Sequence, residues 1–514
     1  MILTQVMQGI SWQYNEQASN DSNSLPQSDV SGISTDTRSL KPGELFFALD
    51  GRHLHGSAFA KEALAKGAAA AVIQDASADN DLIESGLVIR VSEVTEALAL
   101  ASANFFGHPE REMTLIGITG TNGKTTTACI IHQILNDHKG TCGLLGTIEN
   151  MIGVQKISSL HTTPPAPELY AVLRKMADAG NACAVMEVSS HGLAQNRVYG
   201  IEFNTGVFTN ISHEHLDFHQ NLDNYREAKS LLFRHSQVSV LNADDPGYGY
   251  MKAIAKGSVV TYGLSSGTVD FCGEYLGQEG RKGCFNLYFG SQCLPVCMNF
   301  IGRYNTSNAL AAIAAAYVQG IEPEKAIASL EKVAPISGRM QHIDLGQPFL
   351  AIVDYAHTPD GLLQVLATLR EAVKQGRIIS VFGARGERDS LKRPIMGQIA
   401  GRGADYVILT TDCPYGENPL TINESVAKGI EEVGGNYRII PDRTEAIFEA
   451  CKMAYPGDAV IVTGRGHETV QHFEDGDRVL DDRECLAYAI NALQNNQDKR
   501  RYVIPEKVNK SYLT

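Results

Sequence analysis

The stretch that decides how this chain is built is "GITGTNGKTTTACI", Gly117–Ile130. A glycine-rich turn followed by Lys124 and Thr125 has the composition of a phosphate-binding loop, yet its spacing departs from G-x-x-x-x-G-K-[ST]. Counting back from Gly123, the first glycine belongs at 118, which is Ile118, and Gly117 stands one place early. The flanks argue for the loop all the same. "MTLIGITG" before it reads as an apolar strand, and "TTTACIIHQIL" after it reads as a helix with Ile130, Ile131, Ile134 and Leu135 toward a core. Strand, glycine turn and helix in that order present free backbone N–H groups to an anion. Gly120 and Gly123 permit close approach, Lys124 reaches terminal phosphates, and the Thr125 hydroxyl suits Mg²⁺. A solvated lysine on an ordinary strand–helix turn is the bland alternative. Switch GTPases, ATPases and kinases all use such loops; an N-K-x-D guanine motif is missing from the chain, which counts against a GTPase.

Working outward, the chain has 514 residues, and at roughly 100–200 residues per domain about three domains are expected. Hydrophobic content of 43% and charged content of 20% describe an ordinary globular protein. The net charge of −14 argues against non-specific binding to nucleic acid or an anionic membrane. The ten cysteines are scattered, and Cys293 and Cys297 in "SQCLPVCMNF" lack a second pair at zinc spacing. They read as structural thiols in a reduced protein. The start lacks a signal-peptide pattern, and no apolar run approaches the ~18 residues that span a bilayer. A cytoplasmic, monomeric enzyme with small-molecule substrates is expected, without membrane insertion or a nucleic-acid partner.

Short α/β elements fill residues 27–106, and the polar "GHPERE" reads as a linker. Strands "ACAVMEV", "NTGVFTNI" and "QVSVLNADD" follow the loop, separated by helices such as "PELYAVLRKMADAG", whose Leu169, Val172, Leu173 and Met176 share a face. Residues 257–300 alternate and are glycine-rich, as a β-rich insertion would be. "NTSNALAAIAAAYVQG" is a buried helix, and "FLAIVDYAH", "RIISVFGARG", "DYVILTTD" and "AVIVTGRGH" form a third α/β series. Ligands bind beyond the carboxyl ends of such strands. The expected architecture is α/β with three domains: an N-terminal α/β domain (1–108), a central P-loop-like parallel-sheet domain with a β-rich insertion (109–335) and a C-terminal Rossmann-like domain (336–495). A polar tail (496–514, its polarity beginning at Gln494) is expected to be mobile.

The motifs along residues 30–490 resemble the Mur ligase family in the family's order, and its MurE type most of all. That family carries "GTNGKTTT" without the first Walker glycine, which removes the spacing objection. The resemblance implies an ATP-dependent acid–amino-acid ligase of peptidoglycan precursor synthesis: ATP converts a carboxylate to an acyl phosphate, and an amine attacks it. The N-terminal domain then binds the uridine nucleotide and the central one ATP. Implied for ATP are Gly120, Thr121, Asn122, Gly123, Lys124, Thr125 and Thr126, with Asn305 and Asn308 of "RYNTSNALAA" on the adenine side, Arg339 of "SGRM" on phosphate, and Asp354 with His357 of "VDYAHTPD" facing the nucleotide. For Mg²⁺ it implies Thr125, Glu187 of "MEVSSHGL", His215 of "NISHEHLDFH" and a carbamylated Lys229 of "NYREAKSLLF". The family's usual Asp before that His is Glu214 here. For the UDP-N-acetylmuramoyl-dipeptide acceptor it implies Thr37 of "STDTRSLKPGELFFAL", where the family has Ser, then His53, Leu54 and His55 of "GRHLHG", Thr162 and Thr163 of "HTTPPAPEL", and Ser189, Gln195 and Arg197 of "EVSSHGLAQNRV".

Members of the MurE type add the third residue of the peptide stem. Those that add meso-diaminopimelate carry D-N-P-R, whose Arg grips the far carboxylate. Here the segment reads Asp412, Cys413, Pro414, Tyr415. Tyrosine cannot make a bidentate guanidinium–carboxylate contact, and a site without that contact rejects a buried extra carboxylate. With Arg388, Gly464 and Glu468 matching the remaining contacts, L-lysine is the expected substrate; meso-diaminopimelate and ornithine are alternatives, with Arg385 or Arg443 as compensating arginines. Folylpolyglutamate synthetase shares the ATP core but lacks the "STDTR…GELFFAL" domain. A non-catalytic nucleotide-binding paralogue is the rival from another class.

Overall fold

The computed structural model describes residues 1–14, 27–51, 55–74, 86–265 and 268–495. Thr114–Thr119, apolar and β-branched, is the strand on which its middle is built, and every residue after Thr114 is buried. It lies parallel to Cys183–Glu187 on one side and Phe203–Phe208 on the other. Gly117 is a packing glycine there: a Cβ would meet Leu232 and the Phe203 ring at 2.8–2.9 Å. Its place one residue before the Walker position therefore reflects the sheet, not a displaced phosphate contact.

The middle sheet has eleven strands. From Thr114–Thr119 the chain fills one side with Cys142–Leu145 and Cys183–Glu187, then crosses to Phe203–Phe208, Ser236–Asn242 and Ser258–Gly263. The order reverses at the strand that feeds the glycine loop, the position where open α/β sheets bind ligands. Ile116 and Ile118 face Ile130, Ile131 and Ile134 of the helix Lys124–Lys139, and the alanine-rich helix Arg303–Val318 covers the same face. Each such large aliphatic side chain contributes roughly 1.5–3 kcal/mol on burial. On the opposite face, Ala166–Asp178 buries Leu169, Tyr170, Leu173 and Met176. Val172, expected on that stripe, is only half-buried, and Tyr170 takes its place.

The glycine-rich stretch 257–300 is β, as expected. Its strands Phe271–Glu279, Lys282–Phe289 and Gln292–Met298 extend the middle sheet. Cys284 and Cys297 stand directly opposite in the last antiparallel pair and form a disulfide. This corrects the expectation of a wholly reduced chain. The pairing depends on hairpin register, which cysteine spacing does not carry.

The first sheet runs Gln13–Tyr14, Val88–Val91, Ala70–Gln74, Glu44–Phe47, Gly32–Ser34, parallel except for its first strand. The helix Val94–Phe105 belongs to one apolar core with the helix Ala166–Asp178, so the first and middle sheets share that core. The third sheet runs Gln341–His342, Leu350–Val353, Ala459–Val462, Ile378–Phe382, Tyr406–Leu409, Tyr437–Ile439, again parallel except at its first strand. Both of its faces are covered by helices, as parallel sheets require. A hairpin, Val470–Phe473 with Gly476–Val479, follows it. Gln494 ends the helix Asp482–Gln494, so the polar tail does not start there; residues 496–514 lie outside the described residues. Among the described residues, no helix is long and apolar enough to cross a membrane.

Candidate active site

The loop after Thr114–Thr119 has no room for side chains at its glycines. A Cβ on Gly120 would lie 1.8 Å from Thr209 Oγ1, and one on Gly123 2.3 Å from Asn308 Oδ1. Gly123, at φ 85°, is in the left-handed region and opens the helix Lys124–Lys139. Lys124 Nζ folds back to donate to Gly120 O (2.8 Å) and Thr121 O (2.9 Å). Its pKa is lowered, chiefly by desolvation. Thr121 Oγ1 meets Tyr225 Oη at 3.1 Å, Asn122 N donates to Asn210 Oδ1 (2.9 Å), and Thr126 is buried on the first helical turn.

Glu187, at the carboxyl end of Cys183–Glu187 and 1% exposed, is the hub. Its Oε2 accepts from Thr125 Oγ1 and from Thr147 Oγ1, both at 3.0 Å, and its Oε1 accepts from the Thr147 N–H at 2.7 Å. Arg339 Nη2 donates to Thr125 Oγ1 at 3.0 Å, and Thr147 Oγ1 meets Thr162 Oγ1 at 3.0 Å. One hydrogen-bonded chain thus runs from Arg339 through Thr125, Glu187 and Thr147 to Thr162. Thr163 donates to Glu187 O and accepts from the Ser189 N–H, each at 2.9 Å. Ser189 caps the short helix that follows by accepting from the Gly192 N–H at 3.0 Å. The Gln195 amide oxygen holds Arg197 at 2.7 and 3.1 Å, and Thr163 O accepts from Arg197 Nη1 at 2.5 Å. Thr162 and the Arg197 fork therefore share one wall.

Lys229 is 1% exposed, donates to Gly120 O at 2.8 Å and lies over the Tyr225 ring at 4.5 Å. Desolvation first and Lys124 second push its pKa well below the ordinary lysine value. His215, left-handed at φ 55°, packs edge-on to His191 at 4.7 Å. Burial, then His191, Lys229 and Lys124, drive its pKa down to about 2, so it is a neutral imidazole. Glu214 is buried, which raises its pKa against the pull of Lys392. The resemblance implies Mg²⁺, and the donor set fits: Thr125 and Glu187 bring hard oxygens to one point, the kind Mg²⁺ takes, and the neutral His215 keeps a lone pair.

Asn305 and Asn308 are buried against the loop. Asn305 Nδ2 donates to Ile301 O (2.9 Å) and Asn308 Nδ2 to Asn305 Oδ1 (3.1 Å), so the pair backs the phosphate loop with its amide donors already engaged. Asp354 accepts from the Met340 and Ala356 N–H groups, both at 2.7 Å, and so fixes the turn that carries Arg339. His357 Nδ1 lies 2.9 Å from Tyr355 O. Asn122 Nδ2 reaches Asp360 Oδ2 at 3.0 Å, a second link from the third sheet to the loop.

At the carboxyl end of the third sheet, Asp412 is 2% exposed and neither of its oxygens has a hydrogen-bond partner. Burial would raise its pKa, but Arg385, Arg443 and Arg465 outweigh burial and hold it low. A Cβ on Gly464 would lie 2.8 Å from Asp412 Oδ2. Glu468 pairs with Arg385 and accepts from Tyr355 Oη at 3.2 Å. Cys413 Sγ takes a hydrogen bond from Arg465 at 3.2 Å, and Pro414 O backs onto Gly386. Tyr415 stacks on His472, and Arg388 lies over the Tyr415 ring. Arg443 is wholly buried against Asp482 at 2.7 and 2.8 Å, which removes it as a compensating arginine. Arg385 is already paired with Glu468 and cannot serve freely either.

Thr37 and His55 make their contacts within the first sheet's surroundings: Thr37 O accepts from Lys66 Nζ at 2.9 Å, and His55 lies 3.4 Å from Asp50. His53 and Leu54 lie outside the described residues. Sequence reasoning missed Thr147, Lys392, His191 and Tyr225. Thr147 ends the strand segment "GLLGT" at the ligand end of the sheet, and that position was the available signal.

Comparison with known proteins accounts for most of the chain. Residues 29–106 match the Mur ligase family catalytic domain, residues 118–316 the Mur ligase middle domain and residues 338–466 the Mur ligase glutamate ligase domain. A UDP-N-acetylmuramoyl-L-alanyl-D-glutamate–2,6-diaminopimelate ligase of Clostridium tetani is 39% identical over 469 residues, covering 90% of this chain and 96% of that protein. A Bacillus cereus protein of the same name is 38% identical over 480 residues, covering 91% and 96%. A solved structure of a ligase so named aligns with a TM-score of 0.66 at 31% identity, covering 96% of this chain and 99% of that one.

Proposed function

Because the chain belongs to the Mur ligase family, of the MurE type, we propose that this ATP-dependent acid–amino-acid ligase joins meso-diaminopimelate to the D-glutamate of UDP-N-acetylmuramoyl-L-alanyl-D-glutamate. The observation that carries the reading is the hydrogen-bonded chain from Arg339 through Thr125, Glu187 and Thr147 to Thr162, which joins the phosphate loop to the threonines implied for the acceptor. The names of the relatives favour diaminopimelate over the L-lysine expected from Tyr415. The domain limits in this reading are 1–108, 109–335 and 336–495, each span holding one of the three main sheets.

In this reading an acceptor carboxylate oxygen attacks the γ-phosphorus of ATP. The bond to ADP breaks, and an acyl phosphate forms. The amine then attacks the acyl carbon, phosphate leaves with the bonding pair, and the amine gives up its proton. Lys124 and the N–H groups of residues 120–126 hold the phosphates, and Arg339 adds positive charge from the third domain. Arg197 orients the acceptor, while Glu468 and Arg388 orient the amine. Bound Mg²⁺ would neutralise phosphate charge, held by Thr125, Glu187, His215 and Lys229. Lys229, whose pKa burial and then Lys124 push well below the ordinary lysine value, is the amine that would add to CO₂: a nitrogen–carbon bond forms, a proton leaves, and the resulting carbamate supplies the anionic oxygen that an amine lacks.

Phosphate release with ATP, Mg²⁺, the acceptor nucleotide and a panel of meso-diaminopimelate, L-lysine and L-ornithine tests the reading. Diaminopimelate is expected to give the highest kcat/KM. A preference for L-lysine or ornithine would reject the amino acid, and no release with any of the three would favour a nucleotide-binding paralogue.

A further inference from the structure

Of the arginines Arg385, Arg388, Arg393, Arg443 and Arg465 near the amino-acid end of the third sheet, four have acceptors within the protein. Arg385 pairs with Glu468, Arg393 with Glu417 at 2.9 Å, Arg443 with Asp482 at 2.7 Å, and Arg465 donates to Leu480 O at 2.9 Å. Arg388 is exposed and pairs with no carboxylate among the described residues. Its guanidinium carbon lies 5.9 Å from the centre of the Tyr415 ring, over its face.

The ring it rests on is fixed from several sides. Tyr415 stacks on His472 with centroids 5.6 Å apart and planes at 11°. Its N–H donates to His472 O at 3.1 Å, and His472 Nδ1 is in turn held by Asp477 at 2.9 Å. The Tyr415 backbone is left-handed at φ 52°, a conformation a tyrosine keeps only when its surroundings impose it. The loop bearing Arg388 is stitched to the loop bearing Tyr415: Gly386 N donates to Cys413 O at 2.9 Å and Gly416 N to Glu387 Oε1 at 3.1 Å.

We infer that Tyr415 is a positioning residue that holds the Arg388 guanidinium by its ring face, and that Arg388 alone grips the second carboxylate of a two-carboxylate amino acid. The inference rests on the diaminopimelate reading above. A guanidinium on an aromatic face keeps its N–H edge for a carboxylate, which it can bind with two bonds. Tyr415 itself could offer one hydroxyl bond at most. The missing arginine at 415 is thereby replaced by an aromatic platform and an arginine from the neighbouring loop.

The test measures KM for meso-diaminopimelate and for L-lysine, with KM for ATP as a control for folding. Arg388→Ala is expected to raise the diaminopimelate KM about tenfold or more relative to that of L-lysine, the loss of a charge-assisted contact. Tyr415→Ala is expected to raise the same ratio about threefold, and Tyr415→Phe, which keeps the ring face, to restore it. KM for ATP should hold in all three. A wild type that uses L-lysine and not diaminopimelate would overturn the substrate reading. A wild type that uses diaminopimelate, with Arg388→Ala or Tyr415→Ala shifting both amino acids equally, would overturn this inference alone. The same follows if Tyr415→Phe matches Tyr415→Ala.

Discussion

Lys392 Nζ lies 3.3 Å from Glu214 Oε1, joining the third domain to the middle one beside His215. Their side chains are 11% and 7% exposed, and the second Glu214 oxygen is buried without a partner. With Arg339 on Thr125 and Asn122 on Asp360, this is the third polar link between the two domains around the phosphate loop. Glu214, the departure from the usual Asp, has the extra methylene that extends its reach toward Lys392.

Removing both members of this pair should cost less than the two single losses added together. Lys392→Met leaves a buried carboxylate uncompensated, a loss on the order of 3–5 kcal/mol to the arrangement that needs it. Lys392→Met and Glu214→Gln should each depress kcat strongly. The double variant should recover by about 1–3 kcal/mol relative to the sum of the single effects. Steady-state kinetics on the four proteins gives the coupling directly, and strict additivity would remove the ion pair as the link.

Arg443 and Asp482 form a fully buried bidentate pair under the third sheet. Arg443→Met should destabilise that domain by roughly 3–5 kcal/mol, since Asp482 keeps its charge without a partner. KM for the amino acid in the folded fraction should stay put. Urea unfolding followed alongside activity separates the two, and a selective rise in that KM with unchanged stability would return Arg443 to the substrate site.

Much of this was legible in the sequence because apolar periodicity and glycine turns are local. The strand Thr114–Thr119, the helix Lys124–Lys139 and the parallel series from Leu350 on follow from short windows. Register was not legible. The Cys284–Cys297 bond and the joining of residues 271–298 to the middle sheet depend on which strands lie side by side. At the site, motif residues could be placed one at a time. Their pairings could not: Asp482, distant in sequence, occupies Arg443, and Arg388 lies over the Tyr415 ring.

Asp458 should make the third domain acid-labile. Burial raises its pKa, but Arg377 and the N–H groups of Tyr455 and Arg377 outweigh burial, and the net shift is downward. A depressed carboxyl contributes stability that is full above its unfolded pKa of about 3.9 and is lost as pH falls through the lower folded value. Arg377 is two-fifths exposed, so screening limits the effect to roughly 1 kcal/mol. Asp458→Asn should lose that amount at pH 7 and show a flatter stability curve below pH 4. An unchanged pH profile would dismiss the pair as a source of acid sensitivity.

Thr147 is the residue by which the hub reaches the acceptor wall, and no motif pointed to it. Its N–H and hydroxyl hold both Glu187 oxygens, and the hydroxyl also meets Thr162. Thr147→Val keeps shape and backbone but removes the hydroxyl, leaving Glu187 Oε2 to Thr125 alone. Losing a hydrogen bond to a charged acceptor costs about 1.5–3 kcal/mol, so kcat/KM for the acceptor nucleotide should fall on the order of tenfold to a hundredfold. Because the substitution leaves in place the Thr147 backbone, the part that faces His467 of the third domain, KM for the amino acid should not move. Thr147→Ser restores the hydroxyl and should restore the rate. A Ser variant as impaired as Val would mean that the methyl group, and not the bond to Glu187, is what the site requires.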